Sequence, residues 1–176
     1  MKSGVVTITV GNTEPEGLDV STALRFESYP EYDDFQGNWT ANEAYTTRFD
    51  AIASRCQFVS VNLCAIIRPI EGRPESFDAK DIARNVFVAK AGKRSDLIDA
   101  LVEQRESLTA NSPKPNILKS LSSLEEVRSA RPFESYEALA ESIPQIGSPG
   151  NRAGFDRIIN LTDRMARTIS KIEGHL

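Results

Sequence analysis

Histidine is almost missing from this chain: of 176 residues, only His175 carries an imidazole. That scarcity excludes the Ser-His-Asp triad, the Cys-His pair and His-rich metal centres, each of which needs an imidazole held by a second group. Cysteine is nearly as sparse. Cys56 and Cys64 lie in or beside one expected strand, about 26 Å apart at ~3.3 Å per residue, so they are expected to be free thiols. No glycine-rich stretch has the spacing of a phosphate-cradling loop.

Long apolar runs are absent too, since none approaches the roughly 18 to 20 residues that a membrane-spanning helix requires. The Met1-Lys2-Ser3-Gly4 start lacks the apolar core of a signal peptide, which leads to the expectation of an intracellular, cytoplasmic location. Excess positive charge is lacking as well. The net charge of -4 and pI near 5.2 disfavour a protein that coats nucleic acid or anionic lipid through bulk charge. The acidity is concentrated early, with a net charge of -5 over residues 1–72 and +1 over the remainder.

What is present fits one domain over 1–176, with 1–92 mainly strand and acidic and 93–176 mainly helical. Val5 to Val10 is a β-branched run closed by Gly11-Asn12, and Gln57 to Ile67 alternates as a buried strand does. Asn85 to Lys90 reads as a third strand after a short helix at Asp78 to Ala83. Helical spacing is expected at Ala41 to Ser54 and Asp96 to Ser107, and in a turn capped by Ser122 or Ser123 that runs to Arg128. Ser135 caps a helix that Pro144 should stop, and Arg152 to Glu173 reads as one helix about 33 Å long. The expected fold is α+β: a small, mainly antiparallel N-terminal sheet packed with a four- to five-helix C-terminal half.

Two segments are candidates for contact with a partner. Phe26, Tyr29, Tyr32, Phe35 and Trp39 place five of thirteen aromatics within fourteen residues, among acids, and Pro30 and Gly37 argue against a continuous helix there. Such rings either fill pockets on a partner or pack on their own sheet. In the last helix, Phe155, Ile158, Thr162, Met165, Ile169 and Ile172 form a three-four seam, and Arg157, Arg164 and Lys171 recur every seven residues as a basic stripe. The expected partner-binding residues are therefore Tyr29, Tyr32, Phe35, Trp39, Phe155, Arg157, Arg164, Met165, Ile169 and Lys171. The partner would be another protein or further copies of the chain, and no catalytic, metal or cofactor-binding residue is assigned.

The block from Arg131 to Gly150 carries two local resemblances. Pro132-Phe133-Glu134-Ser135 followed by Ile143-Pro144-Gln145-Ile146-Gly147 resembles helix-hairpin-helix DNA-binding modules. That resemblance implies phosphate contacts from Ile146, Gly147 and Ser148 with Arg152 added, although Gln145 replaces a glycine. Arg131-Pro132-Phe133-x-Ser135-Tyr136, then Leu139-Ala140, Ile146-Gly147, Gly150, Arg152, Phe155 and Ile158, resembles vesiculovirus-type rhabdoviral matrix proteins over about thirty residues. It implies a self-associating virion component. By elimination of catalytic signals, the leading expectation is a non-enzymatic structural or assembly protein, with a nucleic-acid-binding module as the alternative.

Overall fold

The computed structural model describes residues 3–11, 20–108, 113–146 and 149–173. The chain divides into two compact units, residues 1–66 and 67–176.

In the N-terminal unit, β1 (Gly4–Gly11) pairs antiparallel with both β2 (Val20–Phe26) and β3 (Phe58–Arg68), which begins in this unit. Between β2 and β3 lie α1 (Tyr29–Ala41) and α2 (Glu43–Ala53). The expected irregular segment is thus a helix. Pro30 falls in its first turn, where an absent N–H costs no helical hydrogen bond, and a Cβ on Gly37 would meet nothing within 4 Å. Ser28 Oγ accepts from Glu31 N at 3.3 Å, and Asn42 both ends α1 and caps α2 through Ala44 N and Tyr45 N.

The C-terminal unit reads β4 (Asp81–Ala89), α3 (Arg94–Glu106), β5 (Asn116–Ser120), β6 (Glu126–Phe133), α4 (Tyr136–Ile146), α5 (Pro149–Leu161) and β7 (Thr162–Lys171). Its strands lie in the order β5-β6-β4-β7, every pairing antiparallel. That is the βαββαβ arrangement of ferredoxin-like folds, with a split second helical segment. Its core packs Leu97, Ala100 and Leu101 of α3 and Ile158 of α5 onto Phe87, Ala89, Ile117 and Val127 of the strands. Gly92, at φ +73°, makes the left-handed turn that swings β4 into α3.

The small N-terminal sheet and helical C-terminal half are therefore corrected. Among the described residues, four of seven strands lie in the C-terminal unit, and two of five helices lie in the N-terminal one. Local patterns failed where pairing overrode them. The capping-box serines stand in the β5–β6 turn, where Ser120 Oγ accepts from Ser123 N at 3.1 Å. Residues 81–83 belong to β4 rather than to a helix. The last helix stops at Leu161, where Thr162 Oγ1 bonds back to Ile158 O at 2.7 Å. From there the chain becomes β7 and satisfies the second edge of β4. α4 runs through Pro144 to Ile146, with Ser135 Oγ accepting from Ala138 N at 3.1 Å. Among the described residues, no helix is long and apolar enough to cross a membrane.

Candidate functional site

Strand alternation in the C-terminal unit sends Ala83, Asn85 and Phe87 of β4 and Ser129, Arg131 and Phe133 of β6 to one face, joined by Met165 and Arg167 of β7. Above them stand Leu101 and Gln104 of α3, Leu139 and Ser142 of α4, and Phe155 and Ile158 of α5. Together they line a half-open cavity of about 130 Å³. An apolar cavity of about 150 Å³ holds a benzene ring, so the space is on the scale of one ring. The lining is mainly apolar, and its polar groups come chiefly from the floor.

Register explains how that floor is built. Ser129, Asn85 and Arg167 are direct cross-strand neighbours, and they form a continuous chain of hydrogen bonds. Arg167 Nε donates to Asn85 Oδ1 at 2.7 Å, and Asn85 Nδ2 donates to Ser129 Oγ at 3.2 Å. The next row holds Arg131 opposite Ala83, whose methyl leaves room over the guanidinium.

Arg131 is the outlier of the site. Its Nε is buried without a hydrogen-bond partner, and no carboxylate forms an ion pair with it among the described residues. Burial alone holds its pKa below the ordinary arginine value, with the guanidinium carbon 5.0 Å from the centre of the Phe133 ring. A buried N–H left without a hydrogen-bond partner is costly, and an anion seated beside it would remove that cost. Arg84, on the opposite face of β4, is also lowered, first by burial and then by the charge of Arg128.

The remaining lining arginine is already committed. Arg105 is 1% exposed, donates to Pro115 O at 2.8 Å and Pro69 O at 2.9 Å, and pairs with Glu71 at 2.9 Å and with Glu106. Lys114 completes this cluster at 2.6 Å from Glu106, whose pKa is lowered mainly by that bond and then by Arg105. Arg105 therefore ties the chain around the cavity mouth. Among the described residues, the lining contains no carboxylate, imidazole or thiol.

The sequence-derived site residues fall in several places. Tyr32, Phe35 and Trp39 pack with Phe26, Tyr45 and Phe49, centroids 5.3 to 5.9 Å apart, while Tyr29 stays 40% exposed. The expected C-terminal seam is divided between α5 and β7, yet Phe155 and Met165 meet in the cavity. Arg157 pairs with Glu103, Arg164 lies opposite Val88, Ile169 is exposed, and Lys171 lies opposite Asp81. The basic stripe does not exist, because its members span a helix and a strand. Ile146 ends α4, Arg152 stands exposed near Asp156 on α5, and Gly147, Ser148 and His175 lie outside the described residues. Asn85, Ser129, Arg131 and Arg167 were missed. The alternation Val127, Ser129, Arg131, Phe133 was the signal for Ser129 and Arg131, hidden because Arg131-Pro132-Phe133 resembled a helix entry.

No family model matches the sequence, and no curated protein matches it either. Solved structures do. An anthrone oxidase-like protein superposes at TM-score 0.65 with 12% identity, over 100% of this chain and 81% of its own. A proposed monooxygenase from Fusobacterium nucleatum gives 0.63 with 12% identity, over 100% and 82%. One from Lactobacillus acidophilus gives 0.62 with 11%, over 96% and 77%. Such end-to-end likeness overturns both local resemblances, to helix-hairpin-helix modules and to matrix proteins, since Arg131 to Phe133 is strand in a sheet that neither accounts for. The viral reading built on the second resemblance is corrected with it, and so is the non-enzymatic assembly reading reached by elimination, since the similarly folded proteins are named for oxidation chemistry. At these identities the likeness is one of fold, shared with proteins named for oxidation chemistry.

Proposed function

We propose that the C-terminal unit is an oxygenase for a compact aromatic substrate bound as its oxygen anion, an enolate or a phenolate. The observation that carries this reading is Arg131, half-buried, with a buried and unpartnered Nε in an aromatic-walled cavity. Arginine keeps its proton at any ordinary pH, so it cannot serve as a base; it can hold negative charge. An anion about 4 Å away gains roughly 4 kcal/mol at an effective dielectric of about 20, enough to favour ionisation of a weakly acidic hydroxyl or enol. An electron-rich anion is the form of such a ring that dioxygen oxidises most readily.

The names of the similarly folded proteins support the reaction class. Conversion of an activated ring methylene to a ketone consumes one dioxygen and releases one water, with atoms and electrons balanced. Among the described residues the lining offers no side-chain base, so the substrate's acidity, raised by Arg131, accounts for proton loss to solvent. Oxygen uptake with an enolisable aromatic ketone, followed by mass analysis after labelled dioxygen, tests this. Label in the product and a roughly 100-fold slower Arg131→Met variant are expected. Absent uptake, or equal uptake by the variant, contradicts it.

A further inference from the structure

We infer that Ser129 is a locked hydrogen-bond donor that selects ligands bearing a second, acceptor oxygen beside the anion held by Arg131. The inference rests on the cavity as an aromatic-anion site, and it begins with the polarity of the row across the floor. Arginine has donors and no acceptor, so the atom of Asn85 that meets Arg167 Nε at 2.7 Å has to be the carbonyl oxygen. That fixes the amide. Its NH₂ then faces Ser129 Oγ at 3.2 Å and donates to it.

Ser129 Oγ thus spends a lone pair on Asn85, and its own proton is directed away from that neighbour. The residue is 6% exposed and lines the cavity, so the proton is offered to whatever occupies the space. Ser129 and Arg131 lie two residues apart on one strand, with Cα atoms about 6.6 to 6.8 Å apart and side chains on one face. Two donors on one face of one strand, both lining the cavity, can engage two oxygens of a single ring, one charged and one neutral. A ligand with an N–H in place of the second oxygen meets donor against donor. Asn85 and Arg167 are positioning residues: they touch Ser129 or each other and set which way the hydroxyl points.

4-Nitrophenol is a suitable probe, because its phenolate is coloured and its nitro oxygens accept hydrogen bonds. Binding by the whole chain is followed by absorbance, separately from oxygen uptake. Ser129→Ala should weaken binding about tenfold, the scale of one lost hydrogen bond, and Ser129→Thr should restore it. Asn85→Asp replaces the donor by a carboxylate that accepts from Ser129 and reverses the hydroxyl, so it should weaken binding similarly. In a Ser129→Ala background Asn85→Asp should then cost little more, a non-additivity that charge repulsion alone does not give.

Additive losses, or a Ser129→Ala variant that binds as well as the wild type, overturn the locked donor. If wild type does not bind the probe at all, the anion site falls and the donor with it. Intact, Ser129-dependent binding without any oxygen uptake sinks the oxygenase reading and leaves the donor standing.

Discussion

The two units use the same materials, antiparallel strands covered by helices, and reach opposite interiors. In the N-terminal unit α1 and α2 bury no residue, and six aromatic rings, five of them on these two helices, meet in edge, tilted and stacked contact. In the C-terminal unit α3 buries Leu97, Ala100, Leu101 and Arg105, and its firm core borders a cavity whose floor bears arginines. Those rings find their partners in one another. A cavity with oriented donors costs stability unless something occupies it, which is why the chemistry is assigned to the second unit.

The sharpest way to break that contrast is Arg131→Met. It should abolish preference for anionic ligands by about 100-fold while leaving thermal stability equal or higher, because the buried Nε lacks a hydrogen-bond partner. A large loss of stability would mean that Arg131 is structural. Next in size, Leu97→Ala should destabilise the C-terminal unit by about 2 to 5 kcal/mol in denaturant unfolding. Phe35→Ala, in the half-buried ring cluster, should cost less.

A pH series sharpens the contrast at the cavity mouth. Glu106 has a lowered folded-state pKa, so its contribution is present above the ordinary carboxylate value and is lost as pH falls through the lowered one. Melting curves of wild type and Glu106→Gln should differ near neutrality and converge in acid; a constant gap would contradict this. The smallest effect is expected from Gly154→Ala. The added Cβ would press on the Gln104 amide, a flexible chain end lining the cavity, so ligand affinity should shift a few-fold with little change in stability.

Elements whose pattern was local and unambiguous were legible in the sequence. β1, β3 and α3 follow from β-branched runs, strict alternation, and apolar spacing with charges suited to the helix dipole. α1 was hidden because Pro30 and Gly37 break helices in an interior but not in a first turn or on an open face. β6 and β7 were hidden for a different reason. Ser122 and Ser123 offer good helix caps, and Phe155 to Ile172 keeps helical spacing, yet both flanks of β4 require strand partners. Long-range pairing settles such segments, and no single window contains it. The site went unseen with them, since Asn85, Ser129 and Arg167 become neighbours only through register.

The central claim, that this cavity stabilises a bound aromatic anion through Arg131, is tested most directly by titrating 4-nitrophenol with pH at saturating protein. With the wild type the bound phenol should ionise at a lower pH than the free one, and with Arg131→Met the difference should vanish. Ionisation at the same pH as free 4-nitrophenol, or an equal shift in the variant, would contradict it.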